Sequence, residues 1–574
     1  MHQRITSKKI ILFFVISSAC LSLIAARLAY LQIFQTLTFF KLSQRNFLRF
    51  EKIVSPRGNI VDRNNKLLAT NRPVISLYWQ GTGNRHLSPE QLTLLNTITL
   101  YVPDIVINET ELQNAEKLNK PLLLAVDIPF EQLSILIEQF AQHPNLLYQT
   151  DFKRFYPHKN VASHIVGYLG GLHYENSGKM GLEKICEQVL KGQPGQLAKT
   201  VNSRGKYLSC EKQKDSLLGG TINTTLDLDL SLIADAVFPE DVHGSMIIMD
   251  AQTGDLLALL SRPSFDPNIF LDPLSMQAWN DIQADQPFLN RASNACYPPA
   301  SIFKLVSMAA GLETGIINQA DIWVCHGHTT FVGRDYHCWQ RKGHGVMTTL
   351  SAIAQSCNIP FFEIGKKIKI DTLAEYATKL GLGLPTNSLL PEKTGLIPTR
   401  KWKREVKGES WWPGETLSAA IGQSFLLVTP LQIARMINAI CEGYLVTPRI
   451  LADEPMNKSE VELSPETRDF LKRSMKQSIQ AHGTGSQLRH LKNFEIFAKT
   501  GTGQVSSFEK RELAKEFLEQ GWFVGHITYK DHPPFIMVIL MEHVGSSSVV
   551  TAVALEYLKK YSKLLEAQLS ARAQ

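Results

Sequence analysis

Apolar and polar positions divide this chain of 574 residues into stretches of different rhythm. From Ile10 to Ala26 every residue is apolar or small, and past Arg27 the run continues through Leu28-Ala29-Tyr30-Leu31-Gln32-Ile33-Phe34. That reaches the roughly 20 residues a helix needs to cross a bilayer. Arg4, Lys8 and Lys9 precede it, so residues 1–9 are expected to be a cytoplasmic tail, 10–34 an anchor, and the rest to lie outside with Tyr30 at the far interface. A cleaved signal peptide is the alternative. Ser17-Ser18-Ala19-Cys20 hints at a lipoprotein site, but Ser17 stands where Leu is usual and the helical pattern runs past any plausible cleavage point. An uncleaved single-pass anchor is the better reading.

From about Asn46 to Gly220 strand-like runs alternate with polar turns and amphipathic segments such as Phe130–Gln142, with no internal repeat. Lys212 to Gly220, charged and then Gly-Gly, reads as a linker. After it, Thr221–Leu226 and Gly244–Ser261 read as strands, the latter folding as a hairpin about Ala251-Gln252-Thr253-Gly254-Asp255. Helix-period segments fill the middle, and Phe494–Thr500 and Pro534–Glu542 return to strand character. Strands at both ends of a helical middle predict one α+β domain over 221–565, with 46–220 a separate module and 566–574 a tail.

Composition narrows the class. The chain is 44% hydrophobic and 20% charged, which fits neither wholesale disorder nor a multi-span membrane protein. The net charge of +7, from 60 basic and 53 acidic side chains, is too diluted to suggest nucleic-acid binding. Eight cysteines are too few for a dense disulfide framework at this length.

The chemistry begins at Tyr297-Pro298-Pro299-Ala300-Ser301-Ile302-Phe303-Lys304. The prolines stop the preceding chain and Ser301 opens a helical run to about Leu312, placing Ser301 and Lys304 one turn apart on one face. A serine hydroxyl needs a base, and a lysine serves only if its pKa falls from about 10.4 to about 7–8. Burial and a second nearby cation both push that way. Alone, S-x-x-K is weak: Ser203/Lys206, Ser209/Lys212 and Ser507/Lys510 match it by coincidence. Two further elements follow in order, Ser356-Cys357-Asn358 and then Lys499-Thr500-Gly501-Thr502-Gly503 after a strand-like Phe494–Ala498. S-x-x-K, an S-x-N element and K-T-G together form the set of penicillin-binding proteins and class A β-lactamases. Lys393-Thr394-Gly395 is a decoy in a loop-like context.

On these motifs the chain resembles a class B penicillin-binding protein, a peptidoglycan D,D-transpeptidase, over nearly all its length. Arg57-Gly58-Asn59-Ile60-Val61-Asp62-Arg63 is similar to the family's R-G-x-I-x-D-R. Arg154-Phe155-Tyr156-Pro157, His164–Tyr168 and Gly181-Leu182-Glu183 resemble its pedestal motifs, and Ile421-Gly422-Gln423-Ser424 with Thr429-Pro430-Leu431-Gln432 its I-G-Q-G…T-P-x-Q. Ala300 and Ser424 stand where the family usually has Gly. The resemblance implies a serine D,D-peptidase/β-lactamase-like domain, an antiparallel sheet flanked by helices, after an anchor and an elongated α+β pedestal. It implies Ser301 as nucleophile, Lys304 as base and Ser356 as proton carrier. Asn358 would hold the substrate amide, and Lys499, Thr500, Gly501 and Thr502 would form the carboxylate site and oxyanion hole. The substrate would be the stem peptide of peptidoglycan, and β-lactams would acylate the same serine.

Cys325, Cys338, His344 and Cys357 follow one another with 12, 5 and 12 residues between them. Three thiolates and an imidazole would make a closed tetrahedral zinc site, and some elongation-type members carry zinc in this segment. The spacing is not that of a compact finger. A Cys325–Cys338 disulfide, Cys357 as a small core residue, and His326, His328 or His337 as ligands remain open.

A β-lactamase would be smaller and lack the anchor and pedestal, and a penicillin sensor would need more than a few residues before the span. Arg57–Asn71, Val201-Asn202-Ser203-Arg204-Gly205 and Gly343-His344-Gly345 look more like the elongation type than the division type. With no glycosyltransferase domain of its own, the chain is expected to work with a SEDS-type glycosyltransferase and elongation scaffold proteins at the inner membrane. Activating that partner is a structural role that could coexist with catalysis.

Overall fold

The computed structural model describes residues 2–573 apart from 54, 104, 106, 141–142, 172–175, 203–206, 504–515 and 517. Ser203, Lys206, Ser507 and Lys510 therefore lie outside the described residues. The N-terminal apolar run is helical over His2–Ala29 and continues through a π-turn at Tyr30–Phe34. Ser7–Phe34, with mean hydropathy 2.3, is among the described residues the one stretch long and apolar enough to cross a membrane.

Two compact units follow a different division from the expected contiguous one. The smaller comprises Met1–Arg57, Asn71–Lys153 and Lys191–Gly219, and the larger Gly58–Thr70, Arg154–Leu190 and Gly220–Gln574. The smaller has a three-stranded antiparallel sheet of Leu48–Ile53, Gly195–Val201 and Tyr207–Lys214. Its core gathers Trp79, Ile98 and Leu136, the last from the helix Phe130–Phe140. Ser209 and Lys212 lie on one of its strands, so no helical turn brings them together.

Within the larger unit a buried charge ties Gly58–Thr70 to Arg154–Leu190. Arg154 and Glu183, whose side chains are 2% and 0% exposed, pair at 2.7 Å. Arg154 also donates to the Gly58 carbonyl at 2.7 Å and the Tyr156 hydroxyl donates to Glu183 at 3.2 Å. Ile60–Val61 pairs in parallel with Ile222–Asn223, the short remnant of the strand expected at Thr221–Leu226.

The rest of the larger unit is built on five strands: β1 (Gly244–Asp250), β2 (Leu256–Arg262), β3 (Phe494–Gly503), β4 (Gln520–Tyr529) and β5 (Phe535–Met541). They run β2-β1-β5-β4-β3, antiparallel throughout. The near-continuous apolar runs of β1 and β5 follow from burial on both faces. Alternate residues face opposite ways: Ile247, Met249, Val524 and Val538 join one core, and Met246, Ile248, Phe523 and Ile539 the other. The first core includes α1 (Lys304–Glu313) and Pro430–Glu442. The second is closed by Leu228–Val237 and a terminal helix, Ser547–Ala573, which runs through the residues expected to be a tail. β3 is the edge strand.

Breaking a buried ion pair strands the remaining charge, whereas removing both partners does not. Arg154→Met is expected to destabilise the larger unit by about 3–5 kcal/mol, and the double variant Arg154→Met/Glu183→Met by clearly less. Thermal unfolding of the single and double variants checks this ordering.

Candidate active site

Pro298 and Pro299 lead into a 3-10 turn, Ala300–Phe303, rather than directly into α-helix, and α1 starts at Lys304. The turn is braced from behind. Ala300 has φ +50° and donates its N–H to the Gly422 carbonyl at 3.0 Å. A Cβ on Gly422, itself at φ +80°, would come 1.9 Å from the Ala300 carbonyl oxygen, so glycine is required there. Ala300 and Ser424 (φ +71°), the two departures from the family's glycines, thus occupy the left-handed region those glycines fit.

Between α2 (Thr349–Ala354) and α3 (Ile359–Lys367) the chain reverses through Ser356, at φ +54°. This turn delivers Ser356 and Asn358 to the Lys304 amine. Lys304 Nζ donates to the Ser356 carbonyl at 2.7 Å, to Ser356 Oγ at 3.2 Å and to Asn358 Oδ1 at 2.7 Å. The period-two rhythm of β3 puts Phe497 and Lys499 on the face toward α1. Lys499 Nζ reaches Ser356 Oγ at 3.0 Å and its neighbour's Thr500 carbonyl at 2.8 Å. Beyond Lys499, β3 passes the Ser301 turn closely: a Cβ on Gly501 would sit 3.2 Å from Ile302. Thr502 pairs with Gly521 of β4.

Both amines are fully buried. Burial drives the pKa of Lys304 down to about 8, against a smaller upward pull from the Cys357 and Cys338 sulfurs. Burial also takes Lys499 well below the usual lysine range, helped by the charge of Lys304. Ser356 Oγ, accepting from both amines, has its lone pairs engaged and its own proton free to donate. As an ammonium, Lys304 spends all three N–H bonds on three acceptors; losing one proton frees a lone pair.

Three side features were not legible in the motifs. The Trp339 ring is 58% exposed, yet its indole N–H donates to the Ser356 carbonyl at 3.1 Å and the Gln355 carbonyl at 3.2 Å. Asn358 Nδ2 donates to the His337 carbonyl at 3.0 Å, leaving one N–H for a substrate. Thr500 Oγ1 lies 2.6 Å from Thr484 Oγ1, in a Gly-flanked loop. Lys393-Thr394-Gly395 is a loop that supports Gln432, whose Nε2 donates to the Thr394 carbonyl at 2.8 Å.

Cys325, Cys338, His344 and Cys357 come together beside this site, their ligand atoms all within 4.8 Å of one another. His344 Nδ1 lies 3.5 Å from Cys325 Sγ and 3.6 Å from Cys338 Sγ, and Cys338 Sγ lies 3.9 Å from Cys357 Sγ. A tetrahedral ion with bonds of about 2.3 Å to sulfur and 2.0–2.1 Å to nitrogen needs S···S near ~3.8 Å and S···N near ~3.5 Å. The residues fit. Hydrogen bonding with Cys357, together with the Asn358 and Gln340 N–H groups, holds the Cys338 thiol below the usual cysteine range. Cys325 and Cys338 are free thiols rather than a disulfide, and His326, His328 and His337 are exposed and outside the cluster.

Residues 244–559 match the family described as the penicillin binding protein transpeptidase domain, and 52–224 match the penicillin-binding protein dimerisation domain. The peptidoglycan D,D-transpeptidase MrdA of Acinetobacter baumannii is 29% identical, covering 94% of this chain and 85% of its own length. MrdA of Haemophilus influenzae is 27% identical over 90% of this chain and 86% of its own. Among solved structures, the complex between PBP2 and MreC from Helicobacter pylori aligns with TM-score 0.78 and 27% identity, covering 90% of this chain and 99% of the solved one. A peptidoglycan synthase complex, described as coordinating polymerization and crosslinking, aligns with TM-score 0.72 and 29% identity over 96% and 97%. A family match over more than half the chain, on a sheet whose edge carries Lys499-Thr500-Gly501 against the turn of Ser301, makes this chain a class B member of the penicillin-binding protein family, of the PBP2 type.

Proposed function

We propose that this chain is a membrane-anchored peptidoglycan D,D-transpeptidase of cell elongation, cross-linking stem peptides through an acyl-enzyme on Ser301. The observation that carries the reading is one serine oxygen, Ser356 Oγ, within hydrogen-bond reach of two buried lysine amines beside the nucleophile turn.

The stem peptide lies along the outer edge of β3, which has no strand partner among the described residues and can take an extended one. Its terminal carboxylate meets Lys499 and Thr500, and Asn358 Nδ2 holds its amide. Neutral Lys304 takes the Ser301 proton as Oγ attacks the penultimate D-Ala carbonyl. The backbone N–H groups of Ser301 and Thr502 receive the negative charge on the carbonyl oxygen. The C–N bond breaks, and the leaving D-Ala amine accepts the free proton of Ser356, which regains one from Lys304. An amine of a neighbouring stem then attacks the acyl-enzyme, losing a proton by the same route. The new amide forms and Ser301 is released with its hydrogen restored.

Cys325, Cys338, His344 and Cys357 would hold a structural zinc, which would tie Cys357, and with it the Ser356–Asn358 turn, to the insert before it. Lys8 and Lys9 beside the span support a catalytic unit on the periplasmic side of the inner membrane. The relatives' assemblies, one with MreC and one a synthase complex, support a scaffold protein and a SEDS-type glycosyltransferase as partners.

Fluorescent penicillin should label the full chain covalently and fail to label Ser301→Ala; labelling that persists would remove Ser301 as nucleophile. Elemental analysis should find about one zinc per chain, and Cys357→Ala should lower both thermal stability and acylation rate. Active protein purified without zinc would refute the metal.

A further inference from the structure

The segment from Ser478 to Gly485 touches the Lys499-Thr500-Gly501 motif and the helix that leads into Ser356, although it belongs to no motif. Ser478 Oγ donates to the Ala498 carbonyl at 2.5 Å, immediately before Lys499 on β3. The Thr484 N–H donates to the Ala354 carbonyl at 3.3 Å, at the end of α2, two residues before Ser356. The segment closes on itself through Gly485 N–H to the Ser478 carbonyl at 2.9 Å. The turn is tight enough that a Cβ on Gly483 would lie 1.9 Å from that same oxygen. The Thr484 hydroxyl is thereby held from both sides, 2.6 Å from Thr500 Oγ1.

A hydroxyl carries one proton and two lone pairs, whereas a carboxylate only accepts. Thr500 can serve a carboxylate only by giving it its single proton, and a second donor to its oxygen strengthens that bond. Thr484 is that donor. Before substrate arrives the Thr500 proton can rest on the Thr484 oxygen; when a carboxylate binds, both O–H bonds rotate and the chain runs Thr484 to Thr500 to carboxylate. Hydrogen bonds in such a chain polarise one another. We infer that Thr484 is a positioning residue for substrate, supplying the hydrogen bond that lets Thr500 donate to the terminal carboxylate of the donor stem or of a β-lactam. No bond other than a hydrogen bond changes, and the proton count of the pair is unaltered.

This rests on the reading that Thr500 meets the carboxylate, so the experiment separates the two. Second-order acylation of the full chain is measured with benzylpenicillin and with its methyl ester, in wild type, Thr484→Ser, Thr484→Val and Thr500→Val. Thr484→Val should slow the free acid about tenfold and the ester by less than about twofold, while Thr484→Ser keeps the wild-type preference. The ester serves as the internal control for folding, since a merely structural loss would slow both probes alike. If Thr500→Val loses the preference for the acid and Thr484→Val keeps it, or slows both equally, Thr484 has no such role. If Thr500→Val itself keeps the preference, the carboxylate assignment of Thr500 fails and the relay fails with it.

Discussion

Two lysine amines buried against one serine hydroxyl are the constraint on which this structure turns. Removing two like charges from water is costly, and each must find fixed acceptors in the protein. Lys304 finds them in the Ser356 carbonyl, Ser356 Oγ and Asn358 Oδ1, and Lys499 in Ser356 Oγ and the Thr500 carbonyl. All of these acceptors come from one left-handed turn and one edge strand. The turn must therefore be held against the strand to within a few tenths of an ångström, and the surrounding fold is organised to do so. The same burial that makes the arrangement demanding lowers both amines toward neutrality, which is the condition for a lysine to act as a base.

The turn at Ser356 is secured on several sides. Trp339 and Lys304 both donate to its carbonyl, Asn358 is tied to His337, and Cys357 sits within the thiol–imidazole cluster. Each tether originates in the segment between Cys325 and His344 or in α1. A residue with positive φ persists when its surroundings determine its position. On the opposite side, β3 is fixed by full pairing with β4 and by two cores, one on each face of the sheet. The Arg154–Glu183 pair plays a comparable part at the start of the larger unit, joining three separated segments of chain through one buried charge.

Much of this was legible in the sequence, for reasons specific to each element. β1, β2 and β5 are apolar enough to announce themselves, and the three motifs appear in order at residues whose chemistry is distinctive. β4 was not read as a strand, because Gly521, Gly525, His526 and Thr528 interrupt its apolar run although both its faces are buried. The expected tail at 566–574 is helical to Ala573, as the end of the helix Ser547–Ala573. The interleaving of Gly58–Thr70 and Arg154–Leu190 with the larger unit depends on contacts far apart in sequence, such as Ile60–Val61 with Ile222–Asn223 and the Tyr156 N–H with Asn268 Oδ1, which no local pattern encodes. Thr484 was missed for the same reason: a threonine between two glycines is an ordinary loop until Thr500 is seen beside it. The cysteines and His344 are a weak signal by spacing, pointed to only by the family resemblance, and their convergence within 4.8 Å comes only with the fold.

The central claim, that burial readies the Lys304 amine to lose its proton near neutral pH, is tested most directly by observing that amine. In the full chain labelled with carbon-13 at the lysine ε-carbons, the Lys304 signal, identified by its loss in Lys304→Arg, should titrate near pH 8. Below that pH the amine is charged and the base is blocked; above it the lone pair is available. A Lys304 signal that titrates at the ordinary lysine value of about 10.4 would contradict the account.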